Sequence, residues 1–291
     1  MTNSISKSEV CIRREELKFP NRISFWAMVV AFSFVLFLTA SCSSTETAQL
    51  KEQVEQLSNK VGLLEDANAI RKLHHAYGYY IDKCLYEDVV NLFADDGEVY
   101  FSGGVYKGKN EGVRRLYVGG FLQGFTGGKP GPVHGFLLDH LQLQDIVDVA
   151  PDGKTAKARF RCFMQAGAHV NSKSPMGEAA RKAKREPTQW WEGGMYENAY
   201  VKENGVWKIK LLNYYPLWHA DYKTGWSYTR ENYVPLKPTL YPENPTGPDA
   251  LMEPTPILWP DTITVPFHYM NPVTGEPPIL ESSWKSEVQA Q

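Results

Sequence analysis

Residues 66–101 decide how the chain folds, and they read DANAIRKLHHAYGYYIDKCLYEDVVNLFADDGEVYF. Apolar residues recur there every three or four positions, at Ile70, Leu73, Tyr77, Tyr80, Ile81, Leu85, Val89 and Leu92. This spacing predicts an amphipathic helix with one face on a core. Residues 94–97, Ala-Asp-Asp-Gly, predict a turn, and residues 98–101 predict a strand. Asp82 lies within the apolar stripe, where a carboxylate must be paired or face a wet cavity.

Strand signals dominate the sequence after this helix. Residues 140–149 and 154–168 predict two strands, and the second alternates apolar and basic residues. Residues 193–202 and 206–215 predict a hairpin, because Asn-Gly between them is a favoured turn pair. Helices followed by strands predict the α+β class, with helices packed on one face of an antiparallel sheet.

Composition excludes several classes of function. The 291 residues carry a formal net charge of -2 and intersperse their charges, so we predict no nucleic-acid partner. Cysteines stand at positions 11, 42, 84 and 162, without a CxxC pair or a spacing typical of metal ligands. The GxxxxGK[ST] and GxGxxG patterns are absent. We therefore predict no cofactor and no metal site.

Residues 1–41 resemble a bacterial lipoprotein signal peptide. A polar, mildly basic start precedes an uncharged apolar run at 25–40, which is shorter than the roughly 20 residues of a typical membrane-spanning helix. Leu-Thr-Ala-Ser-Cys at 38–42 resembles a lipobox. The resemblance implies a lipid anchor on Cys42 outside the cytoplasm, and Ser43 favours the bacterial outer membrane facing the periplasm. The alternative is an uncleaved signal anchor, which also places the later residues outside the cytoplasm.

Residues 42–65 combine a polar spacer with a short heptad seam. The seam residues follow alternating four- and three-residue spacing and are Leu50, Val54, Leu57, Val61 and Leu64. The pattern predicts a helical stalk that pairs between protomers or packs on the domain. About two heptads are marginal alone, so the alternative is one helix that runs on into the next at Ile70.

The sequence holds three more distinctive segments, of which the second and third exceed a minimal domain. Within residues 104–135, a helix-like piece at 111–121 runs into a glycine-rich stretch that predicts either a pocket rim or an ordinary surface loop. The basic insertion at 171–188 predicts either a helical flap or a solvated excursion. Residues 217–291 are rich in proline and aromatic residues, which predicts an extended tail wrapped on the domain or on a neighbouring protomer.

Residues 66–216 resemble the SnoaL-like proteins, in the superfamily of nuclear transport factor two, ketosteroid isomerase and scytalone dehydratase. The family's first helix carries an aromatic residue, an Asp five residues later and an aromatic four residues on, here Tyr77, Asp82 and Tyr86. It then ends in a phrase like LFADD, here residues 92–96. The resemblance implies a cone-shaped barrel, in which a curved antiparallel sheet packs on N-terminal helices around a pocket.

Two catalytic residues follow from the resemblance. In related dehydratases an Asp on the first helix orients a His on a central strand, and Asp82 and His140 occupy the matching positions. A His poised near neutral pH suits proton transfer beside a carbonyl group. An Asp–His pair can equally be a structural hydrogen bond. Tyr77, Tyr86 and Phe101 match family positions around the pocket and are predicted to bind substrate.

Strand alternation adds two further candidates. Glu197 shares a strand face with Ala199 and Val201, and Asn213 shares one with Ile209 and Leu211. If these faces look into the pocket, Glu197 is a second acid or base and Asn213 binds substrate. A single bulge would turn Glu197 outward.

Three functions remain open on the sequence. The first is a membrane-tethered lyase or isomerase that dehydrates, isomerises or cyclises a small, partly apolar carbonyl compound. The second is a periplasmic carrier that only binds such a ligand, and the third is a structural lipoprotein. We also predict a homo-oligomer, because the outer sheet face and the aromatic tail offer surface that an isolated domain would leave wet.

Overall fold

The computed structural model describes residues 22–182, 189–229, 236–237, 239–253 and 257–278. The chain divides into two compact units, Met1–Asn59 and Lys60–Gln291. The first half of the predicted signal peptide and the end of the basic insertion, residues 183–188, lie outside the described residues. The domain boundaries at 41, 65 and 216 remain predictions.

The first helix is longer than the sequence pattern required. Helix α1 runs without a break over Arg22–Asp82, so the stalk and the helix at Ile70 are one element. The five seam residues are at least 46% exposed and cover no core. None of the helices in the described part of the chain is long and apolar enough to cross a membrane.

The second unit contains all of the strands in the described residues. In chain order its elements are α2 Tyr86–Asn91, β1 Phe93–Phe101, β2 Gly104–Lys107, two π-helical segments Gly108–Val113 and Arg115–Leu122, α3 Gln123–Thr126, β3 Phe136–Val149, β4 Thr155–Ala168, α4 Pro175–Lys182, β5 Gln189–Glu203, β6 Val206–Asp221 and β7 Ala250–Leu251. The helix predicted near 111–121 therefore exists, although it is π-helical. Helix α4 lies in the basic insertion.

The strands form one open sheet in the order β3-β4-β5-β6-β1-β2-β7. Neighbours are antiparallel except for β6 and β1, which run parallel. The α+β prediction is confirmed, with helices packed on one sheet face. The predicted turn at 94–97 is wrong, because these residues belong to β1, whose pairing with β6 shifts register between Phe93 and Glu98. The Asn204-Gly205 hairpin turn is confirmed, and both residues have positive φ.

The core lies between the helices and the sheet. Helix α1 contributes Ile70, Tyr77 and Ile81, which are at most 5% exposed. The strands meet them with large side chains such as Phe160 and Tyr196. Because the aromatic rings come from both layers, they can leave a space between them that is apolar but bordered by hydroxyl groups.

The C-terminal tail covers part of the other sheet face. Arg159 on β4 donates from Nη2 to the carbonyl oxygens of Val265, at 3.0 Å, and Pro266, at 2.7 Å. Its guanidinium lies 4.2 Å from the ring centroid of Phe267. The tail has little regular structure in its described residues and wraps its own domain, which is the first of the two arrangements that the sequence allowed.

Candidate active site

A cavity of about 280 Å³ lies between helix α1 and the sheet. Its wall is mostly aromatic and aliphatic and consists of Tyr77, Ile81, Tyr86, Phe101, Ser102, Tyr117, Phe121, Phe125, Leu138, His140, Met164, Trp190, Glu192, Tyr196, Leu212, Tyr214, His219 and Lys237. Ligand cavities typically measure roughly 300–1,000 Å³ and carry a few placed polar groups. This cavity therefore suits a small ligand.

A carboxylate is buried in this cavity. The side chain of Glu192 on β5 is only 8% exposed. Its Oε1 accepts a hydrogen bond from the Tyr214 hydroxyl, and its Oε2 lies 2.9 Å from His219 Nδ1. Glu192 and His219 face each other in the register of β5 and β6. The strand pairing thus holds an acid and an imidazole side by side within an apolar wall.

His140 on β3 enters the same cavity. Its Nε2 lies 3.3 Å from the Tyr196 hydroxyl. Burial lowers the pKa of His140 to about 4, and the charges of Glu192 and then Asp139 partly oppose this. The imidazole is therefore neutral at neutral pH, which corrects the prediction that it titrates near neutrality.

The tyrosines of the cavity remain protonated. Burial raises the pKa of Tyr196 and of Tyr214 well above the ordinary value. Their hydroxyls can therefore donate hydrogen bonds to a ligand or to Glu192. Gly194 makes this packing possible, because a Cβ there would lie 2.5 Å from the Tyr214 ring and hydroxyl.

Asp82 does not contact the His140 imidazole. Its Oδ1 accepts a hydrogen bond from the His140 backbone amide at 2.8 Å. Its side chain lies in a separate groove beside β3, with Gly78, Tyr79 and Asp139. Burial raises the pKa of Asp82. The predicted contact between Asp82 and the His140 imidazole is therefore wrong. Asp82 instead holds the backbone of β3.

Glu197 faces away from the cavity. Its neighbours on β5, Tyr196 and Asn198, point toward α1, so Glu197 lies on the outer face. There it pairs with Arg159 and lies 2.9 Å from His268 Nδ1. The prediction that Glu197 lines the pocket is wrong.

Asn213 is also absent from the cavity wall. Tyr200 pairs with Ile209 and Ala199 pairs with Leu211, so Lys210 is an extra residue that bulges out of β6. The bulge shifts the alternation, and Leu212 and Tyr214 face the cavity in place of Asn213. The Asn213 side chain instead donates to the Tyr215 hydroxyl at 3.1 Å.

Three of the predicted substrate-binding residues lie in the cavity wall with His140, namely Tyr77, Tyr86 and Phe101. Their role in substrate binding stays a prediction. Within the described residues no three His, Cys, Asp or Glu side chains are placed to hold a metal ion.

The sequence interpretation missed Glu192 and His219. It began one strand of the hairpin at 193 and ended the other at 215, whereas β5 begins at Gln189 and β6 ends at Asp221. The register of the Asn-Gly hairpin, extended past both predicted ends, would have placed Glu192 opposite Leu217. Two register shifts, between Gly193 and Gly194 and between Ala199 and Tyr200, bring it opposite His219 instead.

A family model matches the part of the chain that contains most of this cavity. A model described as "SnoaL-like domain" matches residues 63–213, slightly more than half of the 291 residues. The chain belongs to the SnoaL-like family. The matched range of this SnoaL-like protein contains Glu192, His140 and Tyr196, while His219 and Lys237 lie beyond it.

The chain also shows similarity to solved structures. The protein is similar to hexachlorocyclohexane dehydrochlorinase LinA-type3 from Novosphingobium barchaimii LL02, with 16% identity, a TM-score of 0.43, and coverage of 57% of this chain and 95% of that one. It is also similar to ActVI-ORFA from Streptomyces coelicolor, with 12% identity, a TM-score of 0.37, and coverage of 51% and 95%. No curated protein matches the chain.

Proposed function

We propose that this SnoaL-like protein is an enzyme that moves a proton on a small, partly apolar carbonyl compound. The observation that carries the proposal is the Glu192 carboxylate, which is buried in an aromatic cavity together with the neutral imidazole of His140. A buried carboxylate is costly unless it is hydrogen-bonded, and a cavity that only encloses an apolar ligand has no need of one.

The contacts assign a role to each group. Glu192 removes a proton from the carbon next to the carbonyl group, and negative charge develops on the carbonyl oxygen. The hydroxyl of Tyr196 is the donor that stabilises this charge in a site shielded from water. The Tyr214 hydroxyl stays hydrogen-bonded to Glu192. His219 holds the carboxylate in place from its other oxygen.

The outcome depends on what happens to the enolate. Return of the proton to a different carbon isomerises the compound. If a β-hydroxyl group takes up the proton that Glu192 has removed and departs as water, the compound is dehydrated. If the enolate carbon attacks a second carbonyl carbon in the same molecule, a ring closes and the alkoxide formed takes up that proton.

The proposal is tested by hydrogen exchange at carbon. Purified protein is incubated in D₂O with a panel of hydroxylated and unsaturated cyclic ketones, and NMR follows deuterium at the α-carbon and any net product. We expect exchange above the buffer rate for at least one compound. Binding without exchange or turnover across the panel would favour the carrier function instead.

A lipid anchor is part of the proposed setting. The apolar run at 25–40 and the lipobox-like residues 38–42 support cleavage before Cys42 and acylation of its thiol. We expect Cys42→Ala to accumulate as an unprocessed precursor that incorporates no labelled fatty acid. Ser41→Ala, which leaves the thiol in place, is the control and should be processed and labelled. Normal labelling of the Cys42→Ala variant would contradict the anchor.

The exposed seam on α1 supports pairing with a second copy of the chain. Valine occupies its a positions, 54 and 61, and leucine its d positions, 50, 57 and 64, which is the combination that favours parallel dimers. In a parallel pair, Lys60 at g lies opposite Glu65 at e of the other helix. The seam therefore offers an identical helix both an apolar surface and a charge partner.

Cross-linking distinguishes this parallel dimer from other arrangements. Val54→Cys places a thiol at the dimer axis, so mild oxidation should give a covalent dimer at micromolar concentration. Asn59→Cys places a thiol at the outer f position of the same helix and should give no covalent dimer. Equal cross-linking of the two variants, or none in Val54→Cys, would exclude the parallel seam.

A further inference from the structure

Lys237 brings a cation to the rim of the cavity from the C-terminal tail. Its backbone amide donates to the carbonyl oxygen of Ser102 at 2.9 Å, which fixes the residue beside the end of β1. Its side chain is part of the cavity wall, and Nζ lies 6.0 Å from the ring centroid of Phe121. The anchored backbone and the aromatic neighbour keep the amine at this rim.

This amine has no acidic partner in the part of the chain that the structure describes. Burial alone lowers the pKa of Lys237, and no Asp or Glu charge contributes to it. The other buried cation of the domain contrasts with it, because Arg159 pairs with Glu197 and donates to two carbonyl oxygens. A half-buried ammonium without a counter-charge is costly, and an anion bound beside it would offset that cost.

The cavity therefore carries two kinds of polar group. Tyr214 and His219 both contact the Glu192 carboxylate. Lys237 is held by its backbone hydrogen bond to Ser102, and within the described residues its amine lies beside the Phe121 ring. Phe101 stacks on Tyr214 with ring centroids 6.1 Å apart, so aromatic surface lies between the carboxylate and the amine. A flat ligand on this surface could present one group to Glu192 and another to Lys237.

We infer that Lys237 binds an anionic group of the ligand, so that the cavity takes a small cyclic or aromatic compound bearing a carboxylate. The inference rests on the proposed function in one respect, namely that the ligand also carries the carbonyl group next to which Glu192 removes a proton. It adds the ligand's charge and the place where that charge sits. Lys237 is a binding residue in this arrangement and takes no part in bond making.

A matched pair of ligands tests the inference. The probes are 2-naphthoate and 2-naphthamide, which share a ring system and differ in charge, and calorimetry measures their affinities at neutral pH. We expect the full chain to bind naphthoate about tenfold more tightly, a difference of roughly 1.4 kcal/mol. Lys237→Met should remove this preference by weakening naphthoate alone, while Lys237→Arg keeps the charge and should retain the preference.

Several outcomes would overturn the inference. These are equal affinity of the two probes for the wild type, a preference that survives in Lys237→Met, and binding of neither probe. If affinities are equal and 2-naphthaldehyde with cyanoborohydride labels Lys237, the amine forms an imine with a carbonyl carbon, with loss of water, and is not an anion site. Exchange at carbon in D₂O is measured separately, so proton transfer can fail while the charge preference stands.

Discussion

Glu192→Gln is expected to reduce turnover and α-carbon exchange by roughly 10²–10⁴-fold, the usual cost of losing a general acid or base. The amide keeps the size of the side chain and can still accept the Tyr214 hydrogen bond, but it cannot take up a proton. Folding and ligand binding should therefore persist. NMR exchange rates and calorimetry on the same samples separate loss of chemistry from loss of binding.

His140 and Asp82 provide the comparison. His140→Ala removes an imidazole that contacts the Tyr196 hydroxyl in the cavity, so a large loss is expected. Asp82→Asn retains an oxygen acceptor for the His140 amide and should keep most of the activity. This order reverses the expectation from the sequence, in which Asp82 and His140 act as one unit. A loss in Asp82→Asn as large as that in Glu192→Gln would contradict the assignment.

The pKa of His140 gives a separate test of the charge on Glu192. Because the Glu192 charge raises this pKa against the larger effect of burial, Glu192→Gln should move it below its value of about 4. The sign of the stability effect follows from the same shift. An unfolded imidazole takes up its proton near pH 6.5, so the folded state loses stability as pH falls from there toward 4. NMR titration of His140 checks the first statement, and urea unfolding at several pH values between 7 and 4 checks the second.

Arg159→Met is expected to destabilise the domain by about 3 kcal/mol and to release the tail from the outer sheet face. The side chains of Arg159 and Glu197 are 9% and 12% exposed, so the variant leaves a carboxylate with little access to water. It also removes both hydrogen bonds to the tail carbonyls. Urea unfolding measures the first effect, and hydrogen exchange over residues 257–278 measures the second.

Arg161→Met is the matched control for this variant. Arg161 lies two residues further along β4, but it is exposed and makes only a 3.3 Å contact with Gln144. Its loss should change the free energy of unfolding by less than about 0.5 kcal/mol. The double variant Arg159→Met with Glu197→Gln should recover part of the loss, because no buried charge is left alone. Equal effects of Arg159→Met and Arg161→Met would show that the ion pair does not hold the tail.

Periodicity predicted the architecture because it reports burial on one face of an element. The three- and four-residue spacing in α1 placed Tyr77 on the buried face, and the family resemblance placed Tyr86 at the pocket, where the structure has both. The two-residue period on β5 was also real. It could not say which face was the inner one, because helices cover one side and the tail covers the other, so Glu197 was assigned to the wrong face.

The sequence interpretation missed Glu192 and His219 for a different reason. Strand β5 passes through Gly193 and Gly194, and β6 passes through Pro216, which are residues that normally weaken or end a strand. Both strands continue here because Trp218 and Tyr214 pack against the glycines, where a Cβ would lie within 2.5 Å. Such packing depends on residues that are distant in sequence, so no local pattern reports it.

The position of the tail also sets an order of events at the ribosome. Strands β1 to β6 have been synthesised once the chain reaches Asp221, but the edge strand β7 begins at Ala250, and Val265, Pro266 and His268 follow more than forty residues after Asp221. At roughly 5–20 residues per second this interval lasts several seconds. During it, the nascent domain exposes the Arg159–Glu197 pair to water, and for the first part of it the cavity also lacks the rim at Lys237. The outer face and the ligand site are therefore finished by residues that emerge after β6.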